Sequence, residues 1–193
     1  MTRVNSVVKQ SLAGLRVMLV LTVLLGVLYP AAVWGIGQVA AREQAAGSLV
    51  SFDGRTVGSS LIGQQWQGDE WFHSRPSASD YSGQTSGGTN LGPGADLDAE
   101  VAERAQAAGL DPATAPADAL TASGSGLDPD ISPAYAVTQV ERVAAARGID
   151  AARIRQLVDE HVRGRTAGFL GQPRVDVLEL NLALARLAAP SAG

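Results

Sequence analysis

The sequence predicts a single N-terminal transmembrane helix followed by one α+β extracytoplasmic domain. Three observations predict it. Residues 17–37, VMLVLTVLLGVLYPAAVWGIG, carry no charge, and about twenty apolar helical residues span a hydrocarbon core of roughly 30 Å. Arg3, Lys9 and Arg16 precede this run with no acidic residue among them, and basic residues favour the cytoplasmic side. Beyond the run, short alternating stretches give way to helical periodicity.

The boundaries that follow are a short basic cytoplasmic N-terminus at 1–16, the transmembrane helix at 17–37, the extracytoplasmic domain at 38–188 and a disordered tail at 189–193. Tyr29 and Trp34 stand toward the far end of the span, where aromatic rings favour the membrane–water interface. Pro30 removes a backbone donor and is expected to kink the helix. A cleaved signal peptide competes, because Val39 and Ala41 resemble a small-residue cleavage site. Its apolar region is ordinarily shorter, and a retained anchor is expected. Gly26, Gly35 and Gly37 are candidates for close packing against a neighbouring membrane helix.

Helix is expected to continue through residues 39–44 and to end at Gly47. Residues 49–62, broken by the turn pair Asp53-Gly54, read as two short strands. Residues 77–94 form a long polar loop with five glycines. Asp96 is placed as the cap of a helix that runs to about Ala108 and stops at Gly109. Residues 127–132 read as a loop, and Ser132-Pro133 as a helix start with Gly148 as its end. Asp150 starts another helix, with Ile154, Leu157, Val158 and His161 on one face. The spacing Asp176 to Glu179 is that of a capping box before a last helix, although Leu178, Leu180, Leu182 and Leu184 also fit the period of a strand. With aromatics at 5% and many alanines and glycines, a core of small residues is expected.

Composition excludes several kinds of chemistry. There is no cysteine, so disulfides, thiolate nucleophiles and cysteine zinc sites are ruled out. From Arg42 onward twelve arginines face nineteen acidic residues, a net charge of −7 that argues against nucleic acid. Lys9 is the only lysine, which leaves the domain without a Schiff-base lysine or the lysine of a phosphate loop. Ser123, Ser125, Asp128 and the two histidines supply the residue types of a serine hydrolase, but Gly-x-Ser-x-Gly is absent. His73, His161, Asp128 and Asp130 do not make a metal set, and no tightly held metal is expected. The glycine-rich loops leave Ser86, Gly87, Gly88, Asn90, Ser123, Gly124, Ser125 and Gly126 as candidates for contact with a nucleotide or a partner protein.

Several motifs in fixed order carry a resemblance. They are SLIGQ at 60–64, FHSRPS at 72–77, SGGTNLGP at 86–93, TASGSGLDP at 121–129, GFLG at 168–171 and PRVDVLELNLAL at 173–184. Together they resemble the C subunit family of the Kdp potassium-transporting ATPase. The resemblance implies a non-hydrolytic accessory subunit at the cell membrane, working with a channel-like A subunit, an ATP-hydrolysing P-type B subunit and a small F subunit. It also implies a catalytic-chaperone role that raises the ATP affinity of the B subunit. On this reading no cofactor is tightly bound, ATP enters through the ATPase partner, and potassium is the ion the complex transports. Asp130, Glu141 and Asp176 depart from the family pattern, which favours histidine, proline and asparagine there. The competing class is a membrane-anchored extracytoplasmic hydrolase or cell-wall-binding domain.

Overall fold

A computed structural model describes residues 2–188, and the tail expected at 189–193 lies outside them. The chain divides into two units, Met1–Ser48 and Leu49–Gly193.

The first unit is one long helix with a short appendix. Helix α1 (Thr2–Val23) passes through a π turn at Leu24–Leu28 into α2 (Tyr29–Ala40). Within it, residues 5–40 are long and apolar enough to cross a membrane, and none of their side chains is buried. The apolar run at 17–37 is therefore the middle of a longer helix that also carries Lys9 and Arg16. The π turn has a local cause. A helical proline pushes its ring against the carbonyl four residues back and offers that carbonyl no donor. The turn just before Pro30 is widened, with the Tyr29 N–H donating to the Leu24 carbonyl, which gives the proline ring room against the preceding turn. The expected helix at 39–44 breaks at Ala41 (φ −150°), and a single turn, α3 (Arg42–Ala45), follows.

The second unit opens with the expected hairpin, β1 (Leu49–Phe52) and β2 (Arg55–Ser59), paired antiparallel. Asp53 and Gly54 both take positive φ, 48° and 75°, as a tight hairpin turn of matching twist requires. Residues 60–94 then run as irregular ribbon. Helix α4 (Ala95–Ala108) ends at a left-handed Gly109 as expected, but Gly94 holds its cap position. Asp96 sits inside the first turn, where its charge favours the helix dipole without capping anything. A short α5 (Ala117–Leu120) precedes β3 (Asp130–Ile131), α6 (Pro133–Arg147), α7 (Ala151–Glu160), β4 (Val175–Asp176) and α8 (Val177–Ala188).

Ser132 caps α6 by accepting the Tyr135 N–H, Asp150 caps α7 by accepting the Ala152 N–H, and Gly148 closes α6 in the left-handed region. The loop expected at 127–132 contains β3, which pairs antiparallel with β4. The last element is helix. Leu178, Leu180, Asn181, Leu182 and Leu184 are all buried, because α8 is enclosed on most sides and its period is hidden by apolar residues all round. Only half of the Asp176–Glu179 capping box forms. The Glu179 N–H donates to Asp176 Oδ1, while the Glu179 side chain pairs with Arg163 instead.

The core is not made of small residues. Val140, Val143, Ile154, Val158, Val175, Leu180 and Leu184 are fully buried around Phe72. Phe72 belongs to the irregular ribbon, and two carboxamides fix it there. Asn181 Oδ1 accepts the Phe72 N–H and Asn181 Nδ2 donates to the Phe72 carbonyl, both at 2.9 Å. Gln139 from α6 does the same for His73, at 2.7 and 3.1 Å. Arg142 donates to the Trp71 and Asp69 carbonyls, and Arg147 donates to the Glu70 carbonyl while lying 4.1 Å over the Trp71 ring.

Replacing Asn181 with Leu keeps the volume but leaves the buried N–H and C=O of Phe72 unpaired. Thermal unfolding of the detergent-solubilised chain should report a loss of about 2–4 kcal/mol.

A second outcome concerns charge. Register places Asp130 opposite Asp176, and like charges in that position repel. Burial, with Glu179 and Asp130 nearby, pushes Asp176 up to about 6. The folded state thus holds the proton more tightly than the unfolded chain, whose carboxyl titrates near 4. This stability is complete below about pH 4 and is lost as pH rises through about 6. Asp176→Asn mimics the protonated form, so it should stabilise the domain by about 1–2 kcal/mol near pH 7.5 and little near pH 4. Equal effects at the two pH values would refute the assignment.

Candidate functional site

The docked ribbon delivers residues 74–93 to the face where the 121–128 loop lies. Ser77 is the hub. Its Oγ donates to the Gly126 carbonyl at 2.6 Å and accepts the N–H groups of Ser79 and Tyr81, each at 3.1 Å. The Tyr81 hydroxyl donates to the Arg75 carbonyl. Arg75 pairs with Asp128 at 3.2 Å and reaches the Thr121 and Ala122 carbonyls. The Ser123 N–H donates to the Pro76 carbonyl at 3.0 Å.

Seven of the eight candidate contact residues come together here. The Gly87 N–H and Ser86 Oγ both donate to the Ser125 carbonyl, at 2.8 and 3.0 Å. Gly88 packs on Gly124, Ser123 is buried, and the Ser125 Oγ accepts the Leu127 N–H. Asn90 is exposed with φ 56°, and its side chain joins none of these bonds. Gly88 and Gly126 serve loop-on-loop packing, while Gly87 and Gly124 have open space where a side chain would stand. A Cβ on Gly126, at φ 68°, would lie 2.4 Å from Ser79 Oγ and 2.7 Å from the Gly87 carbonyl oxygen. A Cβ on Gly63 would lie 2.3 Å from the Asp128 carbonyl oxygen. An anion cradle needs free, converging amides, whereas those of Gly87, Ser123 and Gly126 are already paired with carbonyls.

Among the described residues no hydrogen bond or ion pair joins either histidine to Ser123, Ser125 or Asp128. The His73 Nε2 is bonded to the Gly68 carbonyl at 2.9 Å and the His161 Nδ1 to the Leu157 carbonyl at 2.8 Å, while Asp128 is paired with Arg75. His161 stands at the C-terminal cap of α7 rather than within its apolar face. Burial holds His73 below the ordinary histidine pKa, against the pull of the Gly68 carbonyl. Among the described residues, no group of three or more His, Asp or Glu side chains could hold a metal. A cavity of about 200 Å³ opens beside the ribbon, lined by Asp69, His73, Tyr135, Gln139, Arg142 and the end of α4. Gln139 and Arg142 were not singled out by sequence. Their only signal is two polar side chains beside the apolar stripe of α6. In the first unit, Gly26 and Gly35 have room for a side chain, and a Cβ on Gly37 would lie 3.5 Å from the Ala45 Cβ, at ordinary contact distance.

If the glycines serve packing, Gly126→Ala should cost about 2–4 kcal/mol of stability without any ligand present, from both φ and collision. Gly83→Ala, with nothing within 4 Å, should stay within about 0.5 kcal/mol in the same thermal measurement.

The sequence matches a protein family described as KdpC: K+-transporting ATPase, c chain, over residues 11–186. A Kineococcus radiotolerans protein described as a potassium-transporting ATPase KdpC subunit is 50% identical over 193 residues, covering 96% of this chain and 97% of its own. A protein of the same description from Cereibacter sphaeroides is 51% identical, covering 86% of this chain and 91% of its own. One from Streptomyces avermitilis is 46% identical, covering 93% and 94%. With the whole of the ribbon, both loop clusters and α8 as far as residue 186 inside the matched span, the chain belongs to the KdpC family, the c chain of K+-transporting ATPases.

Proposed function

We propose that this chain is a non-hydrolytic accessory subunit of an ATP-driven potassium importer. The family match across residues 11–186 carries the reading. The site geometry supports it, since the polar side chains that could do chemistry are engaged in holding loops together. Its partners are the channel-like A subunit, the ATP-hydrolysing B subunit and the small F subunit. The helix at 5–40 anchors it. Arg3, Lys9 and Arg16 before the apolar run favour a cytoplasmic N-terminus and an extracytoplasmic domain. Gly26 and Gly35 give a neighbouring membrane helix room to approach.

On this reading the chain raises the ATP affinity of the B subunit indirectly, through packing between subunits. Two observations favour the indirect route. The domain has no lysine, and the amides of Gly87 and Ser123 are bonded to carbonyls of neighbouring loop segments. Potassium is the cargo of the complex, and no cofactor is assigned to this chain.

The test is co-expression of the transporter chains with and without this one, followed by potassium-stimulated ATP hydrolysis in purified membranes. Most of that hydrolysis should vanish without this chain. Undiminished potassium-stimulated hydrolysis in its absence would sink the proposal.

A further inference from the structure

Between α7 and β4 the chain makes a hairpin excursion. Arg163 and Arg174 exchange backbone hydrogen bonds at 2.8 and 3.0 Å, and Thr166 and Leu170 do so at 2.9 and 3.0 Å. The tip between them turns through left-handed Ala167 (φ 53°) and Gly168 (φ 83°), with Gly171 (φ 80°) on the return side. This hairpin holds Phe169 and Leu170 out at 75% and 61% exposure. Among the described residues beyond Ser48, the large apolar side chains left exposed are Leu49, Leu61 and these two.

Its base is braced. Arg163 pairs with Glu179 on α8, and Arg174 pairs with Asp130 on β3 at 3.0 Å. Residues 162–174 contain three arginines and no acid, inside a soluble part whose net charge is −7. Arg165 is exposed and joins no ion pair among the described residues.

We infer that the Phe169–Leu170 hairpin is a docking knob for another protein chain of the same transporter, one that offers an apolar pocket with an acidic rim. This rests on the proposed subunit role. Preorganised apolar side chains beside an exposed arginine, which a partner would desolvate on contact, are the pattern of an interface hot spot. A bilayer surface fits the hairpin less well. Attraction to anionic headgroups grows with each free basic residue, and two of the three arginines here are spent on Glu179 and Asp130. Those pairs fix the geometry of the tip, which a protein pocket rewards and a fluid lipid surface does not.

The chain has no cysteine, so Phe169→Cys gives a single reactive probe on an exposed tip. Labelling by a membrane-impermeant maleimide is compared between the co-purified assembly and this chain alone in lipid nanodiscs. Gly83→Cys, at an exposed site with open space around it, is the reference position. Labelling at 169 should be roughly tenfold slower in the assembly than in the isolated chain, while position 83 reacts equally in both. Adding Arg165→Glu should raise the labelling rate in the assembly, and an unchanged rate removes the acidic rim. Equal labelling at 169 in both preparations overturns the knob and leaves the subunit reading intact. Slow labelling in nanodiscs without partners assigns the tip to lipid and overturns it as well. If wild-type chain recovers no partner chains, it is the subunit reading that fails.

Discussion

The fold of the second unit hangs on two carboxamides. Phe72 is the aromatic at the centre of the aliphatic core, yet it lies on ribbon with no strand beside it. Taking such a backbone out of water is costly unless every N–H and C=O finds a partner. Asn181 and Gln139 supply those partners for Phe72 and His73, each side chain presenting one acceptor and one donor as a neighbouring strand would. Because Asn181 lies on α8 and Gln139 on α6, the ribbon also ties the two helices together. Arg142 extends the pattern to Trp71 and Asp69.

Everything downstream inherits that anchoring. Residues 74–81 leave the clamp in a fixed direction, which lets Ser77 reach Gly126 and Arg75 reach Asp128. The two glycine-rich loops then close on each other at distances only glycine permits. Histidine, serine, arginine and aspartate are all present on this face. His73, Ser77, Arg75 and Asp128 are each bonded to backbone or to an opposite charge.

What the sequence disclosed was local. Asp53-Gly54 marks the hairpin because both residues must take positive φ, and Ser132-Pro133 and Gly148 mark α6 through its own terminal backbone groups. These signals lie within a few residues of what they determine. Asn181 and Phe72 are 109 residues apart, and Gln139 and His73 are 66 apart. Nothing periodic links them, so the clamp was invisible except as an amide in a leucine-rich run. Strands β3 and β4 have two residues each, too few for alternation to register. The π turn hid for another reason. Proline announced a disturbance, but a straightforward kink and a widened turn both satisfy its missing donor.

The pairing of β3 with β4 carries a further consequence. Register sets Asp130 against Asp176, and burial raises both carboxyls above their ordinary range. Asparagine at 176 would avoid that repulsion and still accept the Glu179 N–H. With aspartate there, neighbouring cations become structurally useful, and the hairpin provides them. Arg174 meets Asp130 directly, while Arg163 engages Glu179 in the first turn of α8. The charges that ease the carboxylate pair are therefore the same ones that brace the exposed Phe169–Leu170 tip. Changing the protonation of that pair alters the support of the hairpin as well as the stability of the core, so the two cannot be tuned independently.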